Sequence, residues 1–346
     1  MKRESPHVAI IILNWNGLKD TKECLESVFK NHYSNYWVYL VDNGSEKGEG
    51  EQLKNAFAGE RSVTVIQNEH NLGFAEGNNV GIKAALEKGA DYIFTLNNDT
   101  VVDPHFLNEA VEAAETQQAG IVATRMVNYY DRSKLDNTGH DLLSTGDTVP
   151  RGRNLPTPNS QLPTLPLGSC AGGALYSVKM LKEIGLFDPE FFLNYEDSDL
   201  SLRGIIQGWK CIYSPKSIVY HKINQSIKKV KDDVYRIRSQ RNQLWAYLHN
   251  IPLPVIILNL PWIILRDLAV ILTAFLTLRW AALRIFVLSR LEVIKTLPNI
   301  LKKRRKVLRH QQVSSLWIWR HQKNFVPTYL RYFWDIVVRR KNSVME

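Results

Sequence analysis

The sequence predicts an α/β protein whose central sheet is mostly parallel and covered by helices on both faces. Three observations support this prediction. The apolar runs of the first hundred residues are short and continuous, as in Val8–Leu13, rather than alternating with polar residues. Helical patterns separate these runs. Polar turn residues follow them directly. Together these features are typical of an alternating strand and helix architecture with one layer of sheet between layers of helices.

The predicted elements of this first part follow one another closely. In order they are strand Val8–Leu13, helix Thr21–Phe29, strand Trp37–Val41, strand Val63–Gln67, helix Gly77–Lys88 and strand Tyr92–Leu96. Polar clusters follow three of the strands, at Asn14–Gly17, Asp42–Ser45 and Asn97–Asp99. In sheets of this kind ligands bind beyond the carboxyl ends of the strands. The three clusters therefore predict a binding site at one edge of the sheet.

The middle of the chain divides into two parts. Residues 128–168 are rich in Pro and Gly, which predicts a long loop or ribbon beside the site. A second structured block runs from Leu167 to about His221, with helical patterns at Val178–Ile184 and Ser198–Gln207. We expect one domain over residues 1–245, with halves at 1–125 and 126–245, and a separate region over residues 246–346.

The C-terminal hundred residues differ in composition from the rest. Residues 246–346 contain 17 Lys and Arg against 4 Asp and Glu, whereas the whole chain has a net charge of +10. Residues 251–290 are almost entirely apolar, but Arg266 and Asp267 interrupt the run. A charge pair at the middle of a bilayer is costly, so we expect helices that lie in the membrane interface. One or two true spans and a soluble helical domain are the alternatives. The long Leu- and Ile-rich stretch argues against nucleic-acid binding.

The cellular compartment is predicted from two features. The apolar run near the N-terminus is too short for a signal peptide and ends in polar residues. The three cysteines, an odd number without metal-binding spacing, fit a reducing compartment. The sequence thus predicts attachment to the cytoplasmic face of a membrane.

Several polar groups have chemistry that suits a nucleotide-binding site, and each also has a plain structural explanation. Asp99 is suited to hold a hard divalent cation, or else it caps a turn. Asp42 can accept a hydrogen bond from a pyrimidine base, or else it forms an Asx turn. The loop at residues 71–81 is rich in Gly and Asn, so backbone N–H groups at a helix start can face a phosphate. Carboxylates crowd residues 196–199, which suits one of them to act as a base. His221 follows a strand-like run and is a structural histidine or a ligand.

The order of these segments resembles the family-2 glycosyltransferases of the GT-A fold, especially their rhamnosyltransferase-like branch. The matching stretches cover residues 8 to about 222 and are VAIIILNWNG, LVDNGS, NLGFAEGNNVGI, LNNDT, GGALYSVKMLKEIGLFDPEFFLNYEDSDLSLRGIIQGWK and VYHK. The resemblance implies a nucleotide-binding half over residues 1–125 and an acceptor half over residues 126–245. The apolar and basic region at residues 246–346 is similar, more loosely, to the membrane-associated tails of this branch.

The resemblance also implies roles for individual residues. Asp197 would be the catalytic base, and Asp99 and His221 would bind Mg²⁺ or Mn²⁺. Asn97 stands where the family has the first Asp of its Asp-x-Asp motif, which lowers the charge around the metal. The remaining implied residues border the two substrates: on the donor side Asn14, Asp42, Asn71, Gly73, Asn79 and Asn98, and on the acceptor side Gly172, Gly173, Glu196 and Trp209.

The implied reaction is an inverting transfer of a sugar, best matched by rhamnose from dTDP-rhamnose, to a lipid-linked or cell-surface polysaccharide. A UDP-hexose is the alternative donor. A nucleotidyltransferase is disfavoured because the turn after the first strand, Asn14–Leu18, lacks a basic residue. A non-catalytic membrane adaptor is a more remote alternative, since it would have no use for carboxylates at three strand or helix ends.

Overall fold

A nine-stranded mixed sheet organises the molecule, which is described here from a computed structural model covering residues 5–157, 165–223 and 232–334. The strands along the sheet run in the order β3-β2-β1-β4-β10-β6-β11-β5, and β7 pairs with β6. Their bounds are β1 Val8–Asn14, β2 Tyr36–Asn43, β3 Val63–Asn68, β4 Tyr92–Asn97, β5 Thr100–Val102, β6 Ile121–Asn128, β7 Leu135–Asn137, β10 Gly173–Ser177 and β11 Cys211–His221. A separate ribbon pairs β8 His140–Leu142 with β9 Thr148–Pro150. The predicted fold class is confirmed.

The first four long strands are parallel, as predicted. Strand β1 pairs with β2 and β4, and β2 pairs with β3, all in parallel register. Strands β1, β2 and β4 are largely buried, which explains why their sequences are continuously apolar, whereas β3, at the end of the strand order, is only partly buried. Helices cover both faces: α1 Leu18–Val28, α2 Glu49–Ala56, α3 Gly73–Glu87 and α4 Phe106–Gln117. Helix α3 begins at Gly73, four residues before its predicted start.

The second half of the sheet is mixed, which corrects the expectation of a mostly parallel sheet. Strand β10 is antiparallel to both β4 and β6, and β5 is antiparallel to β11. The chain leaves β6 at the edge of the sheet that holds the polar clusters and stays on that side through β7, β8 and β9. Strand β10 therefore starts at this same edge and runs back across the sheet, without the crossover helix that a parallel strand needs. The predicted ribbon at 128–168 is confirmed over residues 135–150.

Eight further helices complete the described chain. They are α5 Val178–Ile184, α6 Glu196–Ile206, α7 Asp233–Asn250, α8 Leu253–Leu276, α9 Trp280–Lys295, α10 Leu297–Leu308, α11 Ser315–His321 and α12 Val326–Phe333. The boundary proposed at residues 245 and 246 falls inside α7. Phe191, Leu244 and Trp245 share a hydrophobic cluster with Val293 of α9 and Ile300 of α10. The C-terminal helices therefore pack directly against the loop that precedes α6.

Helix α8 is the one described helix that is long and apolar enough to cross a membrane, judged by length and composition alone. Most of its side chains are exposed, while Val255, Asn259, Arg266 and Ala274 are buried. Arg266 donates to Asp147 of the β8–β9 turn at 2.7 Å, and this ion pair is buried. One face of α8 is thus fixed to the ribbon, and the opposite face presents apolar side chains.

Candidate active site

The carboxyl ends of β1 and β2 meet in a buried hydrogen-bond network. Asn14 and Asp42 are paired in the register of the two strands, and Asn14 Nδ2 donates to Asp42 Oδ1 at 2.7 Å. The same amide nitrogen approaches Ser45 Oγ at 3.0 Å and Glu49 Oε2 at 3.1 Å. Asp42 is buried in this network at the carboxyl end of β2. The structure therefore brings together the two residues predicted to contact the nucleoside.

A second chain of hydrogen bonds connects β4 to this network. Asn98 Nδ2 donates to Thr21 Oγ1 at 2.9 Å, and Thr21 donates onward to Asn14 Oδ1 at 2.7 Å. A side chain at residue 17 would collide with this chain, since a Cβ on Gly17 would lie 2.5 Å from Asn98 Nδ2. Thr21 and Gly17 were not predicted as site residues. Gly17 ends the polar cluster Asn14–Gly17 and Thr21 lies one turn after it, and this position was the available signal.

The end of β11 joins Asp99 to a histidine held from two sides. His221 Nε2 lies 3.3 Å from Asp99 Oδ1, and His221 Nδ1 lies 2.8 Å from Asp136 Oδ2. Arg153 donates to the other oxygen of Asp136 at 2.9 Å. Three of these groups are largely buried, and Arg153 is one-third exposed. Asp136 lies on β7, in the stretch that sequence analysis could identify only as a ribbon.

This arrangement fits a divalent cation. Burial alone would lower the pKa of His221, but Asp99 and Asp136 raise it to about 10. Two carboxylates that stabilise a proton on a histidine also favour a cation at the same place. In the neutral imidazole whose proton is on Nδ1 and is donated to Asp136, the Nε2 lone pair faces Asp99, as in metal-binding histidines. Asp99 and His221 would supply two ligands, and Mg²⁺ sites commonly take the remaining ligands from phosphates and water.

The three carboxylates at the start of α6 occupy different environments. Glu196 is 4% exposed, and burial together with the charge of Asp197 holds its pKa well above the usual value. Burial would also raise the pKa of Asp199, but Arg203, His249 and Asn250 hold it well below the ordinary value. Arg203 Nε donates to Asp199 at 2.8 Å. Burial thus favours the neutral form of Glu196, and Asp199 is ion-paired with the buried Arg203, so neither is well suited to accept a proton.

Asp197 is the third carboxylate and is partly exposed. Its Oδ2 accepts a hydrogen bond from the Ala171 N–H at 3.1 Å and lies 4.0 Å from His140 Nε2. The neighbouring segment reaches the strand ends, because Gly172 O accepts from Asn97 N at 3.0 Å. A Cβ on Gly172 would lie 2.9 Å from Asn97 Nδ2. Gly172 and Gly173, two of the residues predicted for the acceptor side, therefore lie beside the end of β4 and next to the Ala171 contact with Asp197.

The N–H groups at the start of α3 form hydrogen bonds within the protein, which the sequence did not predict. The N–H groups of Phe74 and Ala75, expected to face a phosphate, both donate to Phe192 O, at 2.6 and 3.2 Å. Gly73 has φ +81°, and a Cβ there would lie 2.5 Å from Phe192. The expectation of free helix-end N–H groups is wrong in this structure. The carbonyl of Phe192 satisfies them because the missing side chain of Gly73 lets it approach.

Asn71 and Asn79 also make internal hydrogen bonds. Asn71 Oδ1 accepts from Asn43 Nδ2 at 3.0 Å and shapes the turn after β3. Asn79 is 2% exposed and exchanges two hydrogen bonds with the backbone of Phe187, at 2.8 and 3.1 Å. Asn79 therefore links α3 to the loop before α6. The Asn79 amide is thus engaged within the protein rather than with the Asn14 and Asp42 network.

Trp209 is not part of the site. Strands β6 and β11 run parallel from Cys211, opposite Ile121, to His221, opposite Asn128. Strand β11 has a register shift between Ser214 and Ile218, but its partner β6 takes seven residue steps between the same two ends, which is roughly 23 Å at 3.3 Å per residue. Trp209 precedes Cys211 and donates to Glu183 at 3.0 Å. The prediction of an acceptor-side role is wrong, because Trp209 packs at the opposite end of the sheet.

Among the described residues, one group of three potential metal ligands lies outside the Asp99 pair. The ligand atoms of His140, Cys170 and Asp197 lie within 4.8 Å of one another. Burial and the nearby charge of Asp197 raise the pKa of the Cys170 thiol, which keeps it protonated. A set of nitrogen, sulfur and oxygen atoms suits Zn²⁺ better than Mg²⁺ or Mn²⁺. The oxygen and imidazole groups at Asp99 and His221 match the predicted cation better.

Comparison with known proteins identifies the family. The model of the glycosyl transferase family 2 matches residues 9–185, just over half of the chain. The chain belongs to glycosyl transferase family 2. The matched range contains Asn14, Asp42, Asp99 and Gly172, and it ends before Asp197 and His221.

Similar proteins share parts of this chain. The glycosyltransferase GlyG of Streptococcus pneumoniae is 28% identical over 35% of the chain and 40% of its own length. The dTDP-rhamnosyl transferase RfbF of Shigella flexneri is 25% identical over 57% of the chain and 63% of its own length. The chain thus spans less than two-thirds of either relative.

Two solved structures share the fold at 15% sequence identity. GalNAc-T7, solved with UDP, GalNAc and Mn²⁺, has a TM-score of 0.56 over 71% of this chain and 48% of its own. The mannosyltransferase PcManGT of Pyrobaculum calidifontis, solved with GDP-Man and Mn²⁺, has a TM-score of 0.53 over 91% of this chain and 88% of its own. At this identity the likeness establishes the GT-A-like fold.

Proposed function

We propose that the protein is an inverting, metal-dependent glycosyltransferase. It transfers a sugar from a nucleoside diphosphate to a lipid-linked or cell-surface saccharide. The observation that carries this proposal is that the three carboxylates at the start of α6 have different environments. Burial raises the pKa of Glu196, Asp199 is ion-paired with Arg203, and Asp197 remains to act as a base beside the strand ends. Titratable groups whose environments push their pKa values apart commonly divide acid and base roles in this way.

The reaction follows from these positions. Asp197 accepts the proton of an acceptor hydroxyl, and the hydroxyl oxygen attacks the anomeric carbon from the face opposite the diphosphate. The bond from that carbon to the diphosphate breaks, and the nucleoside diphosphate leaves with the electron pair. One displacement inverts the anomeric configuration, so an enzyme nucleophile is not needed. Asn14 and Asp42 hold the base of the nucleoside at the carboxyl ends of β1 and β2.

Asp99 and His221 would hold Mg²⁺ or Mn²⁺ in this proposal. When bound, such an ion offsets the negative charge that develops on the diphosphate. The contact between Asp136 and His221 supports the assignment, because it orients the imidazole toward Asp99.

The Asp99→Ala variant should lose donor binding. Asp103→Ala is the matched control, since Asp103 is a carboxylate four residues later that accepts a bond from the His105 N–H. Full activity of Asp99→Ala in EDTA would contradict the assignment.

The proposed donor is dTDP-rhamnose. The relative RfbF, named a dTDP-rhamnosyl transferase, supports this choice, and a UDP-hexose is the alternative. A panel of nucleotide sugars, incubated with the full chain and a membrane extract, tests both. We expect fastest consumption of dTDP-rhamnose, loss of activity in EDTA and recovery with Mn²⁺. Consumption of UDP-hexoses alone would select the other donor, and consumption of none would favour a membrane adaptor.

The proposed location is the cytoplasmic face of a membrane, with α8 lying flat on the bilayer. The exposed face of α8 carries the large apolar residues Leu253, Ile257, Leu258, Leu260, Trp262, Ile264, Leu265, Leu268, Leu272, Phe275 and Leu276. Arg266, near the middle of α8, is buried against Asp147 and the carbonyl of Thr145. A helix that is held to the catalytic domain at its midpoint cannot cross a bilayer while that contact lasts. The Arg266 contact therefore supports attachment along the interface rather than a span.

A further inference from the structure

The segment just before the catalytic carboxylate has an unfavourable backbone conformation. Phe192, Asn194 and Tyr195 have φ values of 61°, 70° and 68°, and α6 begins at the next residue, Glu196. Left-handed φ values are uncommon for residues other than glycine and are especially unfavourable for bulky aromatic ones. Such conformations persist only where the surrounding structure fixes them, and they cluster at functional sites. Something outside the segment must therefore hold residues 192–195 in place.

The side chain of Asn242 on α7 makes the most contacts with the backbone of this segment. It is fully buried, and its Nδ2 approaches three carbonyl oxygens of this segment: Phe191 at 2.7 Å, Leu193 at 3.0 Å and Asn194 at 3.0 Å. The orientation of the amide is fixed by chemistry, because three carbonyls need a donor. Arg241 fixes it from the other side by donating to Asn242 Oδ1 at 2.8 and 3.1 Å.

Two more contacts hold the same segment from other directions. Asn194 Nδ2 donates to Tyr235 Oη at 2.7 Å and approaches Ser239 Oγ at 3.1 Å, and both residues lie on α7. On the opposite side, the Phe192 carbonyl is bound by the start of α3. The segment is thus clamped between α7 and α3. Of these side chains, Asn242 is the one that contacts three backbone carbonyl groups of the segment.

We propose that Asn242 is a positioning residue for the transfer reaction, holding residues 191–194 so that Asp197 faces the acceptor hydroxyl. The inference rests on the proposed role of Asp197 as the base. Helix α7 also packs against α9 and α10, so the position of Asp197 depends on the C-terminal helices. In this proposal Asn242 touches neither substrate, and its replacement should leave the proposed nucleoside site at Asn14 and Asp42 intact.

The experiment compares Asn242→Ala, Asn242→Ser and Asn299→Ala in the full chain with the wild type. Asn299 is the matched control, because its exposed amide donates to the Glu190 side chain rather than to this backbone. Turnover is followed as nucleoside diphosphate release from dTDP-rhamnose with membrane extract, and nucleotide affinity as calorimetric binding of dTDP with Mn²⁺. If the wild type consumes no nucleotide sugar, the proposed function fails and this comparison does not arise.

With an active wild type, Asn242→Ala should lower kcat on the order of 10²-fold, as small misplacements of a reacting group do, with dTDP affinity within twofold. Asn242→Ser, whose hydroxyl still donates one hydrogen bond, should recover part of the loss. Asn299→Ala should match the wild type. A purely structural role would lower dTDP affinity and thermal stability together and would give no recovery with serine. Wild-type kcat in Asn242→Ala, or equal losses in kcat and dTDP affinity in both Asn242 variants, would overturn the inference.

Discussion

Asp136 gives the sharpest quantitative test of the candidate metal site. The Asp136→Asn substitution keeps the shape of the side chain but removes the charge that faces His221 Nδ1 at 2.8 Å. The carboxylate fixes the tautomer and makes the free nitrogen a better ligand. Loss of such a partner typically lowers metal affinity 10- to 100-fold. This corresponds to about 1.4 to 2.7 kcal/mol of binding free energy.

The contact between Arg153 and Asp136 leads us to expect a loss of metal affinity near the lower end of that range. It donates to the other oxygen of Asp136 at 2.9 Å, and an asparagine can still accept that bond through its own oxygen. Because Arg153 is one-third exposed, water can solvate the charge that the substitution leaves without a carboxylate partner. The protein should therefore remain folded, and the loss should appear in metal affinity. We expect an increase of about 10-fold or more in the Mn²⁺ dissociation constant.

The assay is calorimetric titration of Mn²⁺ into the full chain in the presence of dTDP. Asp141→Asn, on the neighbouring strand β8, is the control, because the ring nitrogens of His221 contact Asp99 and Asp136. The control should bind Mn²⁺ like the wild type. An unchanged Mn²⁺ affinity in Asp136→Asn would refute the argument that this carboxylate prepares His221 for a cation.

Three further predictions concern stability, attachment and the α3 contact. Asp199→Asn should lower the free energy of unfolding by about 3 to 5 kcal/mol in urea, because it leaves Arg203 buried without its anion. In the wild type the folded-state pKa of Asp199 is depressed, so its contribution to the free energy of unfolding is full above about pH 4 and declines below it. A free energy of unfolding that does not fall in acid would contradict this. High salt should release only part of the protein from membranes and detergent nearly all of it, whereas a chain that stays soluble without detergent would exclude attachment. Gly73→Ala should lower thermal stability, since its Cβ would lie 2.5 Å from Phe192; an unchanged melting temperature would show that the loop yields.

The strands and their polar ends could be predicted because they depend on local sequence. Continuous apolar runs and turn residues identified β1, β2, β3 and β4, and the parallel arrangement of these strands brought Asn14 next to Asp42. The direction of β10 could not be predicted in this way. It depends on the path that the chain takes through β7, β8 and β9, and no local pattern records that path.

The residues that the sequence missed act through contacts between distant parts of the chain. Asp136 and His221 are 85 positions apart, and Asn242 lies 51 positions from Phe191. A single Asp in a Pro- and Gly-rich stretch and a single Asn in a helix carry no signal of such partners. Trp209 shows the converse error. It belongs to a matching sequence stretch, but the length of β11 carries it to the far end of the sheet.

The central claim is that Asp197 is the base of a glycosyl transfer, and Asp197→Asn tests it most directly. Two quantities are measured in the full chain: the dissociation constant of the donor with Mn²⁺, and the rate of sugar transfer. We predict a donor affinity close to that of the wild type and a transfer rate lower by on the order of 10²-fold or more. Transfer at the wild-type rate with unchanged donor affinity would contradict the claim and move the role to another group.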